Sequence, residues 1–174
     1  ATDGGARGKG RGTADGQGYI PAKKIDRANG GQRCRAWAVT RREGSNQGTP
    51  LIHDGVMFLT HPGNVVQALD AASGDLIWEY AYDYPAESRT LGGPTKNIAL
   101  YGDTVFLATY DAALVALDAR SGKQLWRTEK AAYKKAYTHT AGPMIAHGAV
   151  VSGINGCCGC KQEGWFVPGH NSDT

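Results

Sequence analysis

Three of the four cysteines fall in one short cluster, Cys157, Cys158 and Cys160, and this cluster is the first place where residue type and spacing suggest chemistry. A zinc site needs two pairs of ligands, and Cys34 is the single cysteine left to complete them. A thioredoxin-like C-x-x-C expects a βαβ setting, and a c-type haem requires C-x-x-C-H, whereas Lys161 follows Cys160. A disulfide or free thiols therefore fit the cluster better than zinc or haem.

The cysteine pairing stays open on the residues alone. A bridge between Cys157 and Cys158 would be strained, because a trans peptide holds adjacent Cα atoms about 3.8 Å apart, below the usual disulfide range of about 4.4–6.8 Å. Cys157–Cys160 or Cys34–Cys160 would be less strained, and Cys158–Cys160 and free thiols remain alternatives. Elsewhere in the sequence the histidines lack paired ligand spacing, and G-x-S-x-G and phosphate-loop signatures are absent.

The elements that must position any such chemistry come from a repeat. ALDAASGDLIW at 68–78 and ALDARSGKQLW at 116–126 are near copies, and Trp78 and Trp126 are 48 residues apart. Short alternating runs separated by tight turns precede each copy, which is typical of antiparallel meanders. Four strands in each unit form the blade of a β-propeller. The sequence therefore predicts an all-β partial propeller, with blades near 47–80, 95–128 and 138–174.

Within each copy the residues have a structural explanation. Asp70 with Ser73-Gly74, and Asp118 with Ser121-Gly122, predict turns in which side-chain oxygens accept backbone N–H groups and glycine takes a positive φ. Trp78 and Trp126 then follow on the last strand, where a large ring fills the seam between two blades and uses its N–H. These residues are expected to build the scaffold and to do no chemistry.

A third unit begins at Thr140 (TAGPMIAHGAVVSGI), and the chain stops at GHNSDT before the closing tryptophan of that unit. We therefore expect this chain to be a fragment of a longer propeller, with residues 1–18 as a flexible Gly/Arg-rich segment and 19–174 as an incomplete propeller domain. Two blades and part of a third leave open sheet edges and cannot close a ring.

The composition excludes several classes of protein. Hydrophobic residues make up 41% of the 174 residues, so the chain is not wholly disordered. No apolar run approaches the roughly 18–20 residues of a membrane-spanning helix, and no signal peptide is predicted at the N-terminus. Residues 1–47 carry net +6 and the rest net −3, but the basic segment lacks the interleaved aromatic residues of a nucleic-acid arm.

The repeat A-L-D-x-x-S-G-x-x-x-W resembles the tryptophan-docking motif of eight-bladed quinoprotein alcohol dehydrogenases, which use pyrroloquinoline quinone (PQQ). The resemblance runs in order along the chain: GYIPAKKIDRANGGQRCRAWAV before the first blade, GTPLIHDGVMFLT in it, IALYGDTVFLATYDAALVALDARSGKQLW in the second and TAGPMIAHGAVVSGINGC in the third. It covers residues 18–174 and implies that this chain forms the first two to three blades of such a propeller.

Residue by residue, the resemblance implies a set of PQQ contacts in loops that face the propeller axis. Gln47 stands where the family usually has Glu, which keeps an acceptor but loses the charge. Lys96 stands where an Arg is common, which supplies charge without a bidentate fork. Thr140 matches a threonine that reaches the cofactor, and Asn155-Gly156-Cys157 matches the loop that lines its ring. Surface positions for Gln47 and Lys96, and an ordinary strand hydroxyl for Thr140, are the competing interpretations.

The same resemblance departs from the family at the metal and at the disulfide. The family's calcium takes a carboxylate from the third-blade loop, and that position here is Cys158, a poor ligand for a hard cation. Glu163 is the nearest carboxylate and hence the candidate calcium ligand. The family's adjacent Cys–Cys pair lies before the second blade, where this chain has no cysteine, so Cys157 and Cys158 are predicted to form a substitute ring over the cofactor.

The implied function is that of a PQQ-dependent alcohol dehydrogenase of the periplasm, which oxidises an alcohol to an aldehyde or ketone and passes electrons to a cytochrome c or a similar acceptor. The general base, an Asp, and a second calcium ligand, an Asn, belong to later blades, so this chain alone is expected to be inactive. The alternative is a non-enzymatic propeller scaffold of the outer-membrane assembly type, because similar docking repeats occur there without a cofactor.

Overall fold

The computed structural model describes residues 27–88, 95–96, 98–156 and 166–171, and strands dominate these ranges. The two helical segments described are single 3₁₀ turns, Gly30–Gln32 and Tyr133–Lys135. No helix in the described ranges has the length and apolarity to cross a membrane. The segment 1–18, predicted to be flexible, lies outside the described residues.

Eleven strands, numbered in chain order, form three antiparallel sheets in the described residues. In each sheet, the strands that follow one another in the chain are hydrogen-bonded neighbours. The first sheet is β1 Leu51–His53, β2 Val56–His61, β3 Val65–Asp70 and β4 Leu76–Ala81; the second is β5 Ile98–Tyr101, β6 Thr104–Ala108, β7 Ala113–Asp118 and β8 Gln124–Glu129; the third is β9 Met144–Ala146, β10 Ala149–Val151 and β11 Gly169–Asn171. The predicted all-β partial propeller is confirmed.

The second sheet lies between the other two and is buried on both faces. Because side chains alternate along a strand, Val105 and Leu107 of β6 pack against the first sheet, while Phe106 packs toward the third. On β7, Val115 and Leu117 face the first sheet and Leu114 and Ala116 the third, and all four are fully buried. The continuous apolar runs VFLA and ALVAL are therefore the sequence of a central blade rather than of a half-exposed sheet.

The repeated turns adopt the predicted form. Asp70 Oδ1 accepts the backbone N–H groups of Ala72 and Ser73 at 2.8 Å each, and Gly74 has a φ of +81°. In the second copy Asp118 Oδ1 accepts from the backbone N–H of Ser121 at 2.7 Å. The backbone donors of Ser73 and Ala72 hold the pKa of Asp70 below its usual range, and the Ser121 hydroxyl together with its backbone N–H does the same for the pKa of Asp118.

Trp78 docks on the next blade through this turn. Its Nε1–H donates to the carbonyl of Ala119 at 3.0 Å, and its ring lies over Gly122, where an added Cβ would come within 2.6 Å of ring atoms. Trp78 is 8% exposed, so it fills the seam between the first two sheets as the repeat predicted. Trp126 is only half-buried and packs with Phe106 on the side of the third sheet.

Trp37 is a third docking tryptophan that the repeat did not reveal. Its Nε1–H donates to the carbonyl of Ala71 at 3.1 Å, and its ring covers Gly74 just as Trp78 covers Gly122. No motif marks it in the sequence, because no A-L-D-x-x-S-G turn precedes Trp37. Its docking attaches the segment before the first blade to that blade.

Candidate functional site

The candidate cofactor residues lie at one end of the three sheets. β1, β5 and β9 are the first strands of their sheets, and β5 contacts β9 across the joint, whereas the last strands β4 and β8 are mostly exposed. Gln47, Lys96 and Thr140 each stand shortly before a first strand. Because β10 runs antiparallel to β9, Asn155, which follows β10, returns to the same end.

Gln47 and Lys96 belong to two segments that touch. Thr60 Oγ1 donates to the carbonyl of Lys96 at 3.1 Å. A Cβ added to Gly48 would lie 1.9 Å from that hydroxyl and 2.6 Å from the Lys96 carbonyl, so residue 48 must be glycine for the segment of Gln47 to pass this closely. Both side chains are exposed, and the Gln47 amide has a long hydrogen bond of 3.4 Å to Ser45.

Thr140 and Asn155 are brought into direct contact. The backbones of Thr138 and Asn155 exchange a reciprocal pair of hydrogen bonds at 2.9 and 3.0 Å. This isolated bridge places the Asn155 side-chain amide beside Thr140, to whose Oγ1 it donates a hydrogen bond. Gly156 follows, half-buried. Two residues that are 15 positions apart in sequence thus form one short polar wall.

The donor set of these four residues suits an anionic ligand rich in oxygen. Gln47 and Asn155 supply amides, Lys96 supplies an ammonium and Thr140 a hydroxyl, and PQQ is a quinone that carries three carboxylates. An ammonium and amide N–H groups donate to carboxylate and carbonyl oxygens. The chemistry of the residues present therefore fits the cofactor that the resemblance implies.

The remaining predicted site residues, Cys157, Cys158 and Glu163, lie outside the described residues, so the disulfide ring and the calcium ligand stay predictions. Cys34 is exposed on the N-terminal segment. Within the described part of the chain, no group of three or more His, Cys, Asp or Glu residues is arranged to hold a metal ion.

A buried charged network, which no sequence motif marks, joins the first two sheets next to this end. Arg127 donates from Nε to the Tyr82 hydroxyl at 2.6 Å and from Nη2 to Asp111 Oδ2 at 2.8 Å, and Tyr82 donates to the same oxygen at 2.7 Å. Burial disfavours ionisation of Asp111, but hydrogen bonds from Thr109, Arg127 and Tyr82 outweigh it and lower its pKa. Asp111 is fully buried and is held as a paired carboxylate.

A second cluster, of basic side chains, lies between the second and third sheets. His139 is 5% exposed, and burial lowers its pKa to about 4. Burial also lowers the pKa of Lys130 to about 8, and Lys130 Nζ contacts Ser152 Oγ. Burial and the nearby Lys130 lower the pKa of His170. In sequence these residues showed no ligand spacing, because 31 positions separate the two histidines.

Residues 9–154 match the family model described as the β-propeller domain of PQQ-dependent glucose, ethanol and alcohol dehydrogenases. The quinoprotein alcohol dehydrogenase PedH of Pseudomonas putida is 36% identical over 145 residues, which are 81% of this chain and 24% of PedH. The chain therefore spans about a quarter of the length of this curated relative.

Solved structures agree with the sequence comparison. The quinohemoprotein alcohol dehydrogenase ADHIIG of Pseudomonas putida superimposes with a TM-score of 0.66 at 33% identity, over 79% of this chain and 21% of that one. BamB of Moraxella catarrhalis superimposes with a TM-score of 0.52 at 21% identity, over 79% and 40% of the two chains, which shows a shared fold alone. With docked tryptophans, three consecutive blades and this extent of similarity, the chain belongs to the PQQ-dependent alcohol dehydrogenase β-propeller family.

Proposed function

We propose that this chain supplies part of the PQQ site of an enzyme that oxidises an alcohol to an aldehyde or ketone. The observation that carries the proposal is that the Thr140–Asn155 wall and the touching segments of Gln47 and Lys96 lie at the same end of the blades. Bound PQQ would accept the two electrons and the hydrogen removed from the alcohol carbon. The protein's own residues bind and orient the cofactor.

Each residue has a separable task in this proposal. The Lys96 ammonium attracts a carboxylate or quinone oxygen, and as a point charge it tolerates a range of ligand positions. The Gln47 amide adds one donor and one acceptor without a charge. Because the Asn155 amide already donates to Thr140, the threonine hydroxyl proton is left to donate to the cofactor. Hydroxyl and amide together then fix the edge of the ring.

The enzyme is favoured over a propeller scaffold without cofactor. The likeness to BamB is one of fold, and one fold can host many functions. A scaffold without a cofactor has no need for an ammonium, a hydroxyl and two amides at the same end of the blades. The quinohemoprotein nature of the relative ADHIIG supports an electron acceptor of the cytochrome type. Because the chain matches about a quarter of the length of PedH, the proposal places the general base in the rest of the full-length enzyme.

Binding of PQQ to the full-length protein tests this function. We expect the apoprotein to bind PQQ stoichiometrically and then to reduce a dye when an alcohol is added. Replacing the Lys96 charge (Lys96→Met) should weaken PQQ binding about tenfold, the size of one charge-assisted hydrogen bond. Lys123→Met, on an exposed docking turn, is the matched control and should bind as wild type. Apoprotein that binds no PQQ would overturn the proposal.

Calcium, the cysteine ring and the compartment belong to the same proposal. Glu163 would hold a calcium ion, whose chemistry is to polarise a quinone oxygen. Removal of activity by a chelator and its recovery with Ca²⁺, both lost in Glu163→Gln, would support this.

A mass deficit of about 2 Da in a non-reduced peptide that contains Cys157 and Cys158 but ends before Cys160 would support the ring. Recovery of the protein in the periplasmic fraction would support the location, which permits disulfides.

A further inference from the structure

His139 lies between Thr138 and Thr140, and its side chain faces away from the wall that Thr140 forms with Asn155. Thr138 and Thr140 engage Asn155, the first through its backbone and the second through its hydroxyl. The His139 side chain reaches instead into the joint between the second and third sheets, where it meets the Thr109 carbonyl and is almost completely buried.

The imidazole of His139 is anchored to the second sheet in a defined protonation state. Its Nδ1 lies 2.9 Å from the carbonyl oxygen of Thr109, and because a carbonyl can only accept, Nδ1 must carry the proton. Its Nε2 is buried and has no hydrogen-bond partner among the described residues. The charged and titratable groups that act on the ring are Lys130 and His170, which disfavour a second proton, and Asp111, which favours one.

The anchor itself is rigid. Thr109 bonds through its backbone N–H to Ala113 at 2.9 Å and through its hydroxyl to Asp111. Asp111 is in turn held by Arg127 and Tyr82. The Thr109 carbonyl is thus a fixed point, and the hydrogen bond from His139 transmits its position to the residues on either side of the histidine.

We propose that His139 is a positioning residue for the cofactor wall: its Nδ1–H···O=C bond to Thr109 fixes residues 138–140 against the second sheet, so that Thr140 and Asn155 meet the cofactor together. That Thr140 and Asn155 bind a cofactor rests on the proposed function, whereas the positioning of these two residues by His139 does not. No motif marks His139, because its partner is 30 residues away.

Two substitutions in the full-length protein, one that keeps the donor and one that removes it, test the hydrogen bond. An asparagine side chain can place an N–H close to the position of Nδ1, so His139→Asn keeps the donor, whereas His139→Leu fills the space without one. In the apoprotein we expect the Thr138 and Asn155 amide hydrogens to exchange about tenfold faster in His139→Leu and at the wild-type rate in His139→Asn. The PQQ dissociation constant should rise about tenfold in His139→Leu and be restored in His139→Asn.

The outcomes separate this inference from the proposed function. Unchanged exchange at Thr138 and Asn155 in His139→Leu, or equal effects of the two substitutions, would overturn the positioning role. If His139→Leu does not fold, His139→Gln replaces it, since a glutamine places its amide near Nε2 and removes the Nδ1 donor. A wild-type protein that fails to bind PQQ but shows the expected exchange pattern would reject the cofactor site and leave the positioning role in place.

Discussion

The two joints between neighbouring sheets handle their buried polar groups differently. Between the first and second sheets, the fully buried Asp111 is ionised and is met by Arg127 and Tyr82. Between the second and third sheets, Lys130, His139 and His170 are brought together, and burial lowers the pKa of each. The first joint holds a matched pair of charges, whereas in the second His139 is neutral at pH 7 and Lys130, with a pKa of about 8, keeps most of its charge there.

The two joints therefore differ in how their stability depends on pH. A paired carboxylate and guanidinium keep their charges across most of the pH range, because the pKa of Asp111 is lowered and that of Arg127 is raised. A joint of buried bases takes up protons as the pH falls and then carries uncompensated charge. The candidate cofactor wall lies on the second, pH-sensitive joint.

Removing a docking ring should give the largest effect and should differ between the joints. Trp78→Ala is expected to cost about 3–5 kcal/mol of unfolding free energy, because it empties the seam and leaves the Ala119 carbonyl without its donor. Trp126→Ala should cost less, because Trp126 is only half-buried. Urea denaturation of the full-length variants measures both, and equal losses would contradict the comparison.

Acid should weaken the second joint selectively. The pKa of His139 is about 4 in the folded protein against an ordinary 6.5, so its contribution to stability is fully present above about pH 6.5 and is lost as the pH falls toward 4. The linked loss approaches about 3 kcal/mol. Between pH 7 and pH 4 the unfolding free energy of the wild type should fall by about 3 kcal/mol more than that of His139→Asn, which has no imidazole at this position. Parallel curves for the two proteins would show that His139 does not titrate in this way.

Breaking the charge pair of the first joint should cost about 2 kcal/mol. Asp111→Asn removes the buried carboxylate, but the loss stays below that of a fully buried pair because the Arg127 side chain is 33% exposed. Asp103→Asn is the matched control, since its ion pair with Arg120 at 3.5 Å lies on the surface and should be worth less than about 1 kcal/mol. Thermal melts compare the two variants, and a similar decrease in Tm for both would mean that Asp111 is not a structural charge.

The smallest contrast separates backbone strain from docking. Gly102 and Gly122 both have positive φ, but an added Cβ meets nothing within 4 Å at Gly102 and meets the Trp78 ring at 2.6 Å at Gly122. Gly102→Ala should therefore cost about 1 kcal/mol from strain, and Gly122→Ala about 2 kcal/mol because it also displaces the ring. Near-ultraviolet circular dichroism should change in the second variant alone.

Most of the blade architecture could be predicted from the sequence. The repeat, the alternating runs and the Asp–Ser–Gly turns are local signals, and they correspond to the strands and turns of the first two sheets. The same local chemistry predicted the docking of Trp78. For the candidate site, the sequence supplied the residue types of Gln47, Lys96, Thr140 and Asn155 only through the family resemblance.

By itself, then, the sequence determined what depends on short separations along the chain: strand periodicity, turn residues and the spacing of the repeat. The tertiary structure alone decided the contacts of Trp37 with Ala71, of His139 with Thr109 and of Arg127 with Tyr82, whose partners lie 34, 30 and 45 positions apart. A side chain at such a distance is chosen by the packing of one sheet on the next, and no local pattern records that choice. The geometry of the cofactor wall follows from that packing.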